Sequence, residues 1–364
     1  MQIPGPYLLF LGDTPHRLDA KTASGILDWR PELCAGQCRL DANTVDLGLP
    51  DMSPSAAAAA GAHTLVVGVA AFGGVLDAAW IDTLLAAIRA GLNIASGMHM
   101  RLRDNAAIVA AAHEAGVQLF DVRHADRRFD VASGRKRSGY RLLTVGVDCA
   151  VGKKYAALAI HRAFATRGIA ADFRATGQTG ILIAGGGVAI DAVVSDFAAG
   201  AAESLSPDNA PGHWDVIEGQ GSLFHPAYAG VSLALLHGSQ PDALVLCHDT
   251  RRTHIDGYPD YPLPTLAECI AANERAARLT NRAARCVAVA LNTFGMSETE
   301  RERAFAATRE ETGLVVFDPI ATSADAVVET LLAFGTNAYD SDQRDVACNQ
   351  LGRAYNDKKN HCTA

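Results

Sequence analysis

Nothing in the sequence restricts the fold more than residues 141–168. An apolar run, Arg141–Val147, reads as a strand. It passes into Gly146-Val-Asp-Cys-Ala-Val-Gly152-Lys153 and then into a helical pattern, Lys153–Arg167, closed by Gly168. A strand, a glycine loop and a helix in that order belong to the βαβ unit of a parallel sheet. In that setting consecutive loop amides and the helix N-terminus converge on an anion, glycines let the backbone approach it, and Lys153 adds a positive charge. The loop is therefore expected to bind a phosphate-bearing nucleotide or coenzyme. Its spacing is one residue longer than G-x4-G-K-[ST], and Lys154 replaces the Ser or Thr that ligates Mg²⁺. An ammonium has no lone pair for a metal, and Tyr155, Ala156 and Ala157 offer no substitute. The departure disfavours γ-phosphoryl transfer and suits an ADP-containing coenzyme held by its pyrophosphate.

The same rhythm of apolar runs and helical patterns extends along the 364 residues. The expected fold is α/β, with an N-terminal Rossmann-like domain over 1–130 and a linker at 131–139. A P-loop parallel-sheet domain that binds the coenzyme follows over 140–335, then a loosely ordered tail at 336–364. In the first domain Tyr7–Leu11, Thr64–Val69, Leu92–Ala95 and Val117–Asp121 read as strands. Asp19–Arg30, Asp77–Ala90 and Asp104–Ala115 read as helices, with Asp77 and Asp104 as N-caps and Gly91 and Gly116 at the C-caps. In the second domain further strands are expected at Ala171–Ala175, Trp214–Ile217, Ala243–Cys247, Cys286–Asn292 and Val315–Asp318. Helices are expected at Ala189–Leu205, Pro264–Leu279, Glu298–Thr312 and Ser323–Phe334. The basic run Arg135-Lys136-Arg137 reads as a solvated linker.

A net charge of −8 argues against nucleic-acid binding. No apolar run reaches the length of a membrane span, and the first residues lack the features of a signal peptide. The eight cysteines are scattered, with only Cys34 and Cys38 close together, and are expected to be free thiols. These features favour a cytoplasmic protein acting on a small molecule, with no nucleic-acid or membrane partner; a homo-oligomer is also expected.

Ligands of open parallel sheets sit at the carboxyl ends of the strands. The polar groups there are the candidates. Asp148 lies in the loop itself. Arg174-Ala-Thr176-Gly-Gln178-Thr179-Gly180 follows one strand and offers a guanidinium, hydroxyls and an amide; it equally suits a glycine turn with a capping Thr. Glu218-Gly-Gln220-Gly-Ser222 follows Trp214–Ile217. A carboxylate at a strand tip before small residues suits a metal ligand or general base, or simply a surface Glu before a turn. His225 and His237 flank an apolar helix, where a hydrogen-bonded core His is the commoner case. Arg251 and Arg252 suit planar recognition of phosphate or carboxylate, or a solvated loop. Asn292 closes a strand where a carboxamide can read an adenine edge.

Three of these motifs together resemble the dethiobiotin synthetase branch of P-loop proteins: Gly146-Val-Asp148-Cys-Ala-Val-Gly152-Lys153, Ile217-Glu218-Gly-Gln-Gly221, and the strand-end Asn292. A longer resemblance, from about Tyr7 to Leu332, is to the DgcN proteins. Its motifs are Asp148–Tyr155, Arg174–Ala184, Ile217–Pro226 and Leu236–Asp242. That resemblance implies a Rossmann-like domain fused to a P-loop domain, and transfer of acetyl from acetyl-CoA to the amine of D-glutamate.

On that reading Gly146, Asp148, Cys149, Ala150, Val151, Gly152 and Lys153 hold the CoA pyrophosphate, Lys154 adds charge and Asn292 meets the base. Arg174, Arg251 and Arg252 clamp the carboxylates, with Thr176, Gln178, Thr179, Gln220 and Ser222 around the substrate. Glu218 or His225 accepts the ammonium proton, and no metal is required. An acetyl-cysteine route through Cys149, whose thiol pKa should fall beside a helix N-terminus, is the less favoured path. The alternatives are an ATP-dependent ligase or kinase of the dethiobiotin synthetase type acting on a small carboxylate or amine, and a non-catalytic nucleotide switch.

Overall fold

The structure, a computed structural model, describes residues 3–17, 19–69, 77–124 and 127–333; the expected tail at 336–364 lies outside them. Two parallel sheets organise these residues. The first is built from β1 (Tyr7–Gly12), β2 (Cys34–Arg39), β3 (Thr64–Val67), β4 (Asn93–Ser96) and β5 (Leu119–Asp121), in the order β2-β1-β3-β4-β5. Every residue of β1, β3 and β5 is buried. Short apolar runs with no polar alternation are the mark of strands covered on both faces. Four helices serve this sheet: α1 (Lys21–Trp29), α2 (Pro54–Ala59), α3 (Ala78–Arg89) and α4 (Ala106–Ala115). Asp77 caps α3 through Trp80 N, whereas α4 is capped by Asn105 rather than Asp104. Asp104 belongs to a short 3₁₀ turn, and the Asn105 side chain accepts from Ala107 N and Ile108 N.

The second sheet contains β6 (Tyr140–Gly146), β7 (Ala171–Arg174), β8 (Trp214–Ile217), β9 (Ala243–Asp249), β12 (Arg285–Asn292) and β13 (Val315–Phe317), in the order β13-β12-β9-β6-β8-β7. A separate hairpin pairs β10 (His254–Ile255) with β11 (Tyr258–Pro262). The helices are α5 (Lys153–Thr166), α6 (Gln178–Ala184), α7 (Ser195–Leu205), α8 (Ala229–Ser239), α9 (Leu266–Ala277) and α10 (Glu298–Thr312). Residues 325–333 are also helical. Strand β6 lies between β8 and β9, so the chain leaves it towards both edges of the sheet. Its carboxyl end opens onto the crevice where α/β folds bind ligands.

Several elements differ from the expectation, among them α2 and the β10–β11 hairpin, which it did not include. Strand β2 carries Gly36 and Gln37 and no apolar run; its place comes from pairing with β1. Helix α6 occupies a stretch that reads as a glycine turn. Helix α7 starts only at Ser195, after a 3₁₀ turn at Ile190–Ala192.

The segment 131–139 is largely exposed, as expected of a linker, but Arg137 departs from the solvated reading. Arg137 is buried, and its guanidinium donates to the carbonyls of Glu203, Gly238 and Ser239 at 3.2, 2.8 and 3.0 Å. Arg135 pairs with Asp208, and Lys136 with Asp242. Arg137 thus fastens the chain before β6 to α7 and α8, while Arg135 and Lys136 remain mostly exposed in surface ion pairs.

The two sheets are joined by a shared apolar layer. Leu158, Ile181, Leu182 and Ile183 pack into the core of the first sheet. Polar contacts reinforce it: Tyr7 Oη to Leu182 O at 3.3 Å, Arg30 Nη1 to Ile183 O at 2.9 Å, and Tyr155 Oη to Asp28 Oδ2 at 2.7 Å. This junction brings α1 against α5 and α6, beside the carboxyl ends of β6 and β8.

Candidate active site

The loop after β6 turns into α5 through two left-handed residues, Ala150 at φ +53° and Gly152 at φ +104°. A side chain at Gly152 would be strained. Lys153 opens the helix and is buried; its Nζ donates to Asp148 O at 2.7 Å. Burial lowers its pKa, so a phosphate arriving at the loop meets an ammonium whose charge is poorly solvated. Ser222 Oγ donates to Val147 O at 3.0 Å and so pins the loop to the segment after β8.

Asp148 is fully buried. Oδ1 accepts from Cys149 N at 2.6 Å; Oδ2 accepts from Asp256 N at 2.9 Å and Arg252 Nη1 at 2.5 Å. It tethers the β10–β11 hairpin over the loop, and its lone pairs are largely occupied.

Glu218, one residue past β8, is buried. Its Oε2 accepts from Thr176 N at 3.0 Å and Gly177 N at 3.2 Å, and its backbone carbonyl accepts from Thr176 Oγ1 at 2.6 Å. Gln220 Nε2 donates to the same hydroxyl at 3.2 Å. Thr176 N and Gly177 N thus fix the carboxylate, while Gln220 steadies the hydroxyl that holds the Glu218 backbone. Burial pushes the Glu218 pKa up to about 7, against the pull of Lys154 and of the two amides. A carboxyl group raised towards neutrality and held through one oxygen is chemically suited to act as a general base.

Lys154 departs from its expected role. Its side chain leaves the loop and runs to the domain junction. A Cβ on Gly25 of α1 would lie 2.9 Å from Lys154 Nζ and 2.9 Å from Thr179 Cγ2. Burial lowers the lysine pKa to about 8, partly countered by Glu218 and then Asp28. Its charge is therefore directed at Glu218 and not at the anion loop.

Several other sequence candidates are committed elsewhere. Arg174 lies on the outer part of the sheet and bonds Asp215 and Asp172, both at 2.7 Å. Arg251 grips Asp249 through Nε and Nη2, and Arg252 pairs with Asp148. None of the three guanidiniums is free to serve as the expected carboxylate clamp without breaking an ion pair. Gln178 donates to Gly97 O at 2.7 Å and accepts from Arg123 Nη2 at 3.1 Å, while Thr179 Oγ1 meets Thr22 Oγ1 at 3.3 Å. Both join the domains instead of lining a substrate pocket. Asn292 donates to Asp249 Oδ2 at 3.0 Å and accepts from Phe294 N at 3.1 Å, which ties up the carboxamide expected to read adenine.

His225 is buried, with Nδ1 accepting from Ala227 N at 3.1 Å and the ring packed against Tyr228 and Tyr258. Asp148, Cys149 and His225 each bring one possible ligand atom within 4.8 Å of the others. A cation there would have to displace or coexist with Arg252. The Cys149 thiol is raised, not lowered: burial outweighs the attraction of Lys153 and Arg252. The six cysteines among the described residues are free. No helix of the described residues is long and apolar enough to cross a membrane.

The residues that sequence reasoning missed come from the first domain: Lys21, Thr22 and Gly25 on α1, and Arg123, which pairs with Asp191. They carry no motif, and nothing local marks them.

A Rossmann-like domain joined to a P-loop domain, with an acidic strand tip beside the anion loop, defines a class of two-domain α/β P-loop proteins. Two family profiles match in that order. One, described as a Rossmann-like domain of unknown function, covers residues 33–125, and its companion P-loop domain covers residues 130–328. The chain belongs to this family, DUF1611. Curated relatives include D-glutamate N-acetyltransferases from a Pseudoalteromonas species and from Tritonibacter scottomollicae. Each is 47% identical over 331 residues, spanning 91% of this chain and 100% and 99% of the relatives. A crystal structure of a DUF1611 family protein from Anabaena variabilis is similar, with a TM-score of 0.80 and 32% identity. The match covers 90% of this chain and 99% of that one.

Proposed function

We propose that this protein is an amino-acid N-acetyltransferase that moves an acetyl group from acetyl-CoA to the amine of D-glutamate. The relatives that carry that activity in their names align along 91% of the chain. The observation that carries the chemistry is Glu218: a buried carboxylate at a strand tip, held by Thr176 N and Gly177 N, with a pKa near 7.

The substrate arrives as an ammonium, which has no lone pair. Glu218 takes one proton, and the freed amine attacks the thioester carbon. The C–N bond forms, the C–S bond breaks, and CoA leaves as a thiolate that is reprotonated as the amide nitrogen sheds its second proton. Stabilisation of the developing oxyanion is needed as well; Gly219 N is taken by Thr144 Oγ1 at 2.9 Å, which leaves the amides of Gln220 and Gly221 as the candidates in the turn after Glu218. The loop amides and Lys153 bind the coenzyme pyrophosphate.

The test is direct. Purified protein incubated with acetyl-CoA and D-glutamate should yield N-acetyl-D-glutamate and free thiol in equal amounts, with no nucleotide added. Product that forms only with Mg-ATP, or a melting-point rise with Mg-ATP and none with CoA, would replace the transferase by a ligase.

A further inference from the structure

A substrate with two carboxylates calls for a cation near the base, and the three arginines at the strand ends are already paired with Asp215, Asp249 and Asp148. Lys154 is not. Among the described residues no acceptor bonds its Nζ and no carboxylate forms a direct ion pair with it; its Nζ lies over the Tyr155 ring, 5.1 Å from the centroid. Yet it is partly buried between α1, α5 and α6, where burial holds its pKa at about 8. A ring face replaces only part of an ammonium's hydration, so leaving one half-buried without a counter-ion is costly. A group kept in that state is explained when a ligand supplies the missing anion. The surrounding charges fit this: Glu218 is the largest opposite charge acting on Lys154, and Lys21 of α1 adds a second positive charge to the same place.

An amino acid carries an ammonium and a carboxylate on neighbouring atoms. Glu218 and Lys154 present the complementary signs, coupled through space but too far apart to neutralise each other directly. The residue that replaces the metal-binding hydroxyl of ordinary phosphate loops is long enough to leave the loop and reach this point.

We infer that Lys154 binds a carboxylate of the amino-acid substrate, placing that substrate at the junction of the two domains with its amine on Glu218. The inference rests on the acetyl-transfer reading above. It also gives the Rossmann-like domain a role, since α1 forms one wall of the site. Gly25 is part of that wall: any side chain there meets Lys154 Nζ.

The experiment measures steady-state kinetics and, separately, calorimetric binding of D-glutamate in the absence of acetyl-CoA. It compares the full-length wild type with Lys154→Met, Lys154→Arg and Gly25→Ala. Lys154→Met should raise KM for D-glutamate about 10- to 100-fold, the range expected when a charged hydrogen bond to substrate is lost. KM for acetyl-CoA should stay within about twofold, and discrimination between D-glutamate and D-glutamine should shrink. Lys154→Arg should recover part of the loss. Gly25→Ala should raise the same KM without removing the lysine. Melting curves exclude unfolding as the cause, and Lys154→Arg keeps the test open if the Met variant fails to fold. An unchanged D-glutamate KM in Lys154→Met overturns the inference, as does a parallel rise in KM for acetyl-CoA, which would put Lys154 on the pyrophosphate. Wild-type binding of D-glutamate that depends on Lys154, with no turnover, would refute the transfer reaction and leave this site standing.

Discussion

Replacing Glu218 by Gln should make the protein slower and, above neutral pH, more stable. The carboxyl has a model-compound pKa of 4.5 and a folded value of about 7. Between those values the folded state binds more protons than the unfolded state, so stability falls as pH rises from about 4.5 through 7. A difference of about 2.5 units corresponds to roughly 3 kcal/mol, fully present as a penalty above pH 7 and absent below pH 4. Glutamine keeps an oxygen to accept from Thr176 N and Gly177 N and has no charge to desolvate. The variant should therefore melt higher than wild type at pH 8, with the gap closing towards pH 5. Loss of a general base should lower kcat by about 10²–10⁴-fold with little change in coenzyme affinity. The wild-type rate should rise tenfold per pH unit below an inflection near 7, and that inflection should vanish in the variant. Scanning calorimetry at pH 5 and 8, with rates from pH 5.5 to 9, tests both halves. Equal rates would remove Glu218 from the mechanism. A variant less stable than wild type at pH 8 would refute the claim that its ionisation is penalised by burial.

Three further outcomes are expected. Lys153→Ala should abolish most of the melting-point rise produced by CoA, because Lys153 is the buried cation at the loop; an undiminished rise would move the coenzyme elsewhere. Activity should survive EDTA, and a complete loss restored by a divalent metal would instead assign an ion to Asp148, Cys149 and His225. Cys149→Ser should retain substantial turnover, and mass spectrometry of enzyme with acetyl-CoA alone should find no acetyl group on Cys149, since burial keeps the thiol protonated; an acetylated Cys149 that D-glutamate discharges would establish a two-step route.

Much of this protein follows from its sequence alone. The strand-to-helix loop at Gly146–Lys153 is local: a few consecutive residues carry its glycine, its lysine and its register. Some buried strands announce themselves as uninterrupted apolar runs, as β9 does over Ala243–Cys247. Glu218 was legible because it directly follows the short strand-like stretch Trp214–Ile217, where a charged residue ahead of glycines marks a strand tip. Strand β2 was not, since its backbone pairs with β1 while its own residues, Cys34-Ala-Gly-Gln-Cys-Arg39, have no apolar pattern. Helix α6 was hidden by the two glycines that bracket Gln178 and Thr179, and it forms because Ile181, Leu182 and Ile183 bury against the first sheet. Which polar groups are free was decided by tertiary structure. Arg174 meets Asp215, Arg252 meets Asp148 across more than a hundred residues, and Arg137 is taken up by carbonyls of α7 and α8. The availability of a charge depends on what lies opposite it and on how much water remains around it. Both are set by chain segments distant in sequence, as α1 sets them for Lys154, and no pattern of neighbours along the chain encodes them.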